Sequence, residues 1–208
     1  VFPFMGINTK HCYLPGRKRS EIESTDLEKL LYEHFARDRG GHCLQDNRNA
    51  VESHFGGFGG DIDSLKGKDF YAGIKVYPPL GFDPWPDDAR ERDKVLFLYE
   101  FAEQRRIPIT THCSDGGYVV GNEKEAKERS NPKKWRKALQ HAKNLKVNFA
   151  HFGGSNSHFR RETGGKLKDF CLKVMKKGDP EWVGEIVDLI YAHENVYTDI
   201  SFSGSNSR

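Results

Sequence analysis

The chain has 208 residues, of which 36% are hydrophobic and 30% charged, enough for one domain with a core. Its 33 basic residues are mixed with 30 acidic ones for a formal net charge of +3, a balance that gives no reason to expect nucleic acid or a membrane surface as a partner. No apolar run approaches the roughly 20 residues of a membrane span, and VFPFMGINTK has neither a basic region ahead of it nor a small-residue cleavage site, so it does not read as a signal peptide.

In chain order, VFPFMGI reads as a strand, and Thr25 with Glu28 makes a capping box for a helix to about Arg39, with Leu27, Leu30, Leu31 and Phe35 inward. The stretch from Leu44 to Asp63 could hold a short helix and includes the glycine-rich HFGGFGGD, read as a flexible loop. FYAGIKVY, Phe70 to Tyr77, is a clear strand ended by Pro78-Pro79. A helix follows from about Ala89 to Arg105, with Val95, Leu98, Tyr99 and Ala102 as its apolar stripe. IPITTHC is the next strand, followed by a polar loop through Lys127 and a helix capped by Asn131 with Pro132 at its first position. That helix buries Trp135, Ala138, Leu139 and Ala142. After the strand KVNFAHF comes a helix around Lys166 to Lys177, stopped by Gly178. Asp179 and Pro180 start another, with Trp182, Val183, Ile186, Val187, Ile190 and Tyr191 on its core face, and NVYTDIS, Asn195 to Ser201, is the last strand.

The four cysteines form no CxxC pair and no disulfide framework, so a reducing, cytoplasmic setting is the default. Three of them directly follow a histidine, but strand neighbours point to opposite faces and cannot share one ion. The recurrence is read as chance.

Strands alternating with helices imply parallel strands in either a doubly wound sheet or a closed barrel, and both place the site at the carboxyl ends of the strands. There Lys75 and Tyr77 end one strand, His112 the next, His151 the third, and Asp199 with Ser201 the fourth. Ionisable groups repeated at one end of an apolar sheet need a partner to offset desolvation. Two imidazoles on adjacent strands, at the same height and facing inward, can share a divalent ion.

The runs GIKVYPPLGFDP, IPITTHCS, VNFAHFGG and NVYTDIS together resemble the amidohydrolase superfamily, nearest the branch that includes amino-carboxymuconate-semialdehyde decarboxylase and related hydrolases and lactonases. The likeness covers roughly residues 70 to 201, with weaker support from VFPFMGIN. It implies a TIM (β/α)8 barrel with His112 as the fifth-strand metal ligand and His151 as the sixth-strand one, and it makes Asn195 to Ser201 the seventh strand. It also implies one divalent metal ion, zinc first among candidates. The family's HxH pair and eighth-strand aspartate have no counterpart in this chain. The expectation is therefore a single partial barrel domain over 1–208, an internal piece without the first and eighth strands. A full barrel takes about 250 residues.

The function implied is a metal-dependent hydrolase that attacks a C–N or C–O bond of a small, anionic substrate with metal-activated water. The isolated chain would be inactive where its ligand set is incomplete. Lys75 and Asp199 are the catalytic candidates. Lys75 could hold an anionic group, bridge a second metal, or be a structural ion pair. Asp199 could replace the missing aspartate if a strand is hidden in FCLKVM, or be a structural hydrogen-bonded residue. Three alternatives stand beside hydrolysis: non-oxidative decarboxylation on the same metal site, a metal-free lyase using Lys75 as a Schiff-base nucleophile, and a non-catalytic barrel fragment. An open barrel exposes two edges and is expected to form homo-oligomers. Arg160, Arg161 and Lys166 point to an anionic substrate, while the Gly56–Gly60 cluster and Gly153-Gly154 read as backbone turns rather than phosphate cradles.

Overall fold

Among the described residues five short strands pair in parallel, in a sheet whose order follows the chain without reversal. They are β1 (Phe4–Ile7), β4 (Gly73–Val76), β5 (Ile109–His112), β6 (Val147–Ala150) and β7 (Val196–Thr198). A two-residue pair, β2 (Cys12–Tyr13) with β3 (Thr25–Asp26), lies outside that sheet. The helices are α1 (Leu27–Phe35), α2 (Ala89–Gln104), α3 (Glu123–Ser130), α4 (Trp135–His141) and α5 (Pro180–Ala192). This computed structural model describes residues 3–35, 71–114, 117–153 and 180–199. The expected elements at 44–63 and 166–177, the glycine cluster at 56–60, Gly154, Arg160, Arg161 and Ser201 lie outside the described residues.

The strand order bears on the two architectures left open by the sequence. A doubly wound sheet reverses its order at a switch point and covers both faces with helices. Among the described residues β1, β4, β5, β6 and β7 run in one direction, an order in which right-handed crossovers place the connecting helices on one face. Burial follows the same division. Ile74, Ile109, Val147 and Val196 share one register row, and Val76, Thr111 and Phe149 share another; all are buried. The alternate row holds Lys75, Thr110, Asn148 and Tyr197, none of them buried. One face is therefore apolar and helix-covered, and the other is polar.

The apolar stripes dock as their spacing requires. Val95, Leu98, Tyr99 and Ala102 of α2, and Trp135, Ala138 and Leu139 of α4 with Ala142 after it, are all buried. Trp135 is the hub, with ring centroids 5.6 Å from Tyr99 and 5.9 Å from Phe149.

Several local expectations are corrected. Tyr191 is 87% exposed and Leu189 is buried in its place. The reason is angular, since position 191 lies about 200° round the helix from Leu189. The cap of α1 is Asp26, whose Oδ1 accepts from Lys29 N at 2.9 Å, not Thr25, whose backbone is committed to pairing with Cys12. Part of the expected polar loop is α3. Asn122 caps it by accepting from Lys124 N and Glu125 N, and its acidic first turn and basic last turn suit the helix dipole. With Ala126 its one apolar side chain, α3 shows no stripe for periodicity to detect. Asn131 does accept from Lys133 N, but opens a 3-10 turn at Pro132–Lys134 that leads into α4.

A buried ion pair ties the β2–β3 arm to α2. Lys94 Nζ donates to Glu23 Oε1 and Glu91 Oε1, each at 2.7 Å, and to the Cys12 carbonyl at 3.0 Å. Arg90 Nη2 donates to Glu23 Oε2 at 3.2 Å. Burial by itself raises the Glu23 pKa, but the Lys94 hydrogen bond and the Ser20 amide outweigh it and lower it from 4.5 to about 2. The pair thus adds stability above pH 4.5 and loses it as pH falls towards 2. Lys94→Met leaves Glu23 buried without its main counter-charge, and is expected to cost about 3 kcal/mol in a urea titration at neutral pH. Between pH 4.5 and 2 the acid-induced loss of stability should be smaller in the variant than in the wild type.

Candidate active site at the strand ends

The polar face carries its chemistry at the carboxyl ends of β4, β5, β6 and β7. Strand alternation sends Lys75 and Tyr77 to the face that holds Thr110 and His112, and the register agrees, with Lys75 opposite Thr110. The His112 ring lies against Tyr77, centroids 4.4 Å apart and tilted by 35°. It is buried, 6% exposed. The following thiol faces away: Cys113 Sγ sits 3.7 Å from the Ser130 carbonyl, and burial pushes its pKa up. This His-Cys neighbour pair divides between two environments.

His151 reaches the site by a different route from the one expected. The residue opposite His112 in β6 is Ala150, so His151 lies one position beyond the strand's matched end. Continued strand geometry would point it to the helix face. Instead the chain turns through three successive residues with positive φ: His151 at 71°, Phe152 at 48° and Gly153 at 69°. This swings the imidazole back, to 4.8 Å between the His112 and His151 centroids with an interplanar angle of 67°. Left-handed backbone costs about 1–2 kcal/mol per non-glycine residue, so the neighbours must hold it. Gly153 N donates to the Cys113 carbonyl at 3.0 Å, and His151 N donates to Asp199 Oδ1 at 3.2 Å.

Asp199 stands just past β7, where its N–H donates to the Phe149 carbonyl at 3.2 Å. Its Oδ2 accepts from Asn148 Nδ2 at 2.8 Å. Lys75 sits on the same face, half-buried, and desolvation pushes its pKa down while the charge of Asp199 pulls it up. Thus all four sequence candidates, Lys75, His112, His151 and Asp199, fall on one face of one sheet.

The rim above them is latched. Arg129 Nε donates to the Pro78 carbonyl at 3.2 Å and Asn8 Nδ2 to the Leu80 carbonyl at 3.0 Å. Val120 N donates to the Pro79 carbonyl at 3.4 Å, which brings 117–121 over the site. Gly117, at φ 115°, approaches so closely that a Cβ would lie 2.6 Å from Tyr77 Oη and 3.2 Å from His112 Nε2.

Two imidazoles in mutual contact can serve one divalent ion. Among the described residues no group of three or more His, Cys, Asp or Glu side chains forms a metal cluster. No helix among the described residues is long and apolar enough to cross a membrane.

A parallel sheet with helices between its strands, carrying histidines and an aspartate at its carboxyl edge, places the chain in the α/β class. A family model described as amidohydrolase matches residues 61–207, and the chain belongs to that family, with a general amidohydrolase-type function. No curated protein and no solved structure was found to match it.

Asn148 and Gly117 are not among the sequence candidates. Asn148 had a signal: in VNFA it is the polar residue alternating with buried ones. Gly117 had none, since only the folded loop reveals its neighbours. Gly117→Ala is expected to lower unfolding free energy by about 1–3 kcal/mol through its positive φ and the clash, and to shift the His112 imidazole resonances. Gly121→Ala, also at positive φ but with nothing within 4 Å, should leave those resonances in place.

Proposed function

We propose that this chain has the (β/α)8-barrel architecture, with an inner face that carries a metal-dependent hydrolase site and His112 and His151 as two ligands of one divalent ion, zinc first. The observation that carries this reading is the left-handed turn that brings the His151 ring to His112. Unfavourable backbone kept at a strand end, beside another imidazole, is what a functional constraint produces. The unreversed strand order and the polar face suit a barrel lumen, and the family supports the reaction class. The remaining ligands would come from residues outside those described. A divalent ion bound there supplies water acidified towards neutral pH.

The chain's own groups supply binding and orientation. Tyr77 and Gly117 confine the His112 ring from two sides. Lys75, as its cation, attracts an anionic group of the substrate on the face it shares with the histidines. Small amides, esters and lactones bearing a carboxylate are the substrate class, within the branch that also includes decarboxylases. Carbon dioxide release separates the two outcomes. In the full-length protein purified without chelator, about one ion per chain is expected by mass spectrometry. His112→Ala and His151→Ala should each reduce it to a small fraction while circular dichroism stays unchanged. Wild-type protein that takes up no metal, even when it is supplied, would rule the reading out.

The lowered pKa of Lys75 favours one second reading, a Schiff-base lyase, because that chemistry needs a neutral amine. Borohydride reduction in the presence of an aldehyde or ketone acid should then leave a stable adduct on the Lys75 peptide. An unmodified Lys75 peptide leaves the hydrolase reading alone.

A further inference from the structure

We infer that Asp199 and Asn148 form a clamp that positions His151, so that Asp199 is a positioning residue for the imidazole pair rather than the proton-transfer group. The metal readout of this inference rests on the hydrolase reading above; the backbone readout does not.

Three hydrogen bonds define the clamp. Asp199 N donates to the Phe149 carbonyl at 3.2 Å, fixing the end of β7 against β6. One carboxylate oxygen then accepts from Asn148 Nδ2 at 2.8 Å, and the other from His151 N at 3.2 Å. Asn148 and His151 are three residues apart and belong to the same strand end, so the carboxylate bridges the last regular turn of β6 to the first irregular residue after it. A charged acceptor gives the stronger kind of hydrogen bond, and it is spent on the amide of a residue whose φ is 71°. Without that acceptor the His151 amide would favour ordinary extended backbone, which points the ring towards the helices and away from His112. Lys75, on the same face, lies near enough to feel the charge of this carboxylate.

The clamp makes different demands on each substitution. Asp199→Ala removes both acceptors. Asp199→Asn keeps an oxygen for the His151 amide, and Asn148 can rotate its amide to meet the new NH2. Asn148→Asp sets two carboxylates against each other, and adding Asp199→Asn relieves them with the original number of charges restored. These variants of the full-length protein are compared with wild type by amide hydrogen exchange at His151 and by zinc affinity from chelator competition. In Asp199→Ala and Asn148→Asp, His151 exchange should speed up by about tenfold and zinc bind about 10–100-fold more weakly. Asp199→Asn and the Asn148→Asp/Asp199→Asn pair should stay within about threefold of wild type in both.

The inference is overturned if Asp199→Ala matches wild type in both readouts, or if Asp199→Asn fails to relieve Asn148→Asp. It is also overturned if Asp199→Asn keeps zinc and exchange near wild type yet abolishes turnover as completely as alanine does, since that pattern marks a proton-transfer group. If wild type binds no zinc, the hydrolase reading fails alone, and exchange at His151 decides the clamp.

Discussion

Parallel strands that succeed one another without reversal leave the sheet with two unequal faces, and the rest of the molecule answers to that inequality. Ile74, Ile109, Val147 and Val196 line one side under the helices. Lys75, Thr110, Asn148 and Asp199 occupy the other, where hydrophobic burial gives nothing back and each polar group needs a partner. Chemistry can collect on that side because packing is completed elsewhere: Tyr99, Trp135 and Trp182 from the helices and Phe149 from the sheet are all buried in the core. Short strands suffice for the same reason, since the side chains that matter stand at or just beyond the last paired residue.

Precision at that edge comes from hydrogen bonds rather than from the ladder. The Pro78–Leu80 turn is held from three directions, by Arg129, Asn8 and Val120 N. It follows Tyr77 directly, so fixing it fixes the ring that lies against His112. On the neighbouring strand the left-handed turn does the complementary task, with Gly153 N bonded to Cys113 O and His151 N bonded to Asp199. Strain at His151 and Phe152 is opposed by two bonds, of which the part-buried one to the Asp199 carboxylate is charge-assisted.

The two lysine–carboxylate relationships show how context sets the sign of electrostatics. Lys94 lies within hydrogen-bond distance of two carboxylates and a carbonyl, and Glu23 is kept ionised well into acid. Such a pair fixes an arm of chain in place, and its worth is greatest when measured by breaking it. Lys75 faces Asp199 without that contact set, and desolvation wins, so its pKa falls. One lysine is held by a full set of acceptors, while the other sits half-buried on the polar face.

Alternating strand and helix, the apolar stripes of α2 and α4, and the chemistry-bearing residues at strand ends were all legible in the sequence, because they depend on periodicity and on residue type along one segment. The four candidates could be named, and for Lys75, His112 and Asp199 the shared face followed from parallel geometry. What the sequence could not supply was anything that depends on two segments at once. The unreversed order of the described strands is a pairing property, which no single segment encodes. His151 reads as a strand residue in KVNFAHF, yet its ring meets His112 only through a left-handed turn that local propensity disfavours. Asp199 makes that turn affordable from 48 residues away. Gly117 against Tyr77, Asn148 against Asp199 and the exposure of Tyr191 likewise arise from packing between elements, where a few tertiary contacts outweigh the preference of any single residue.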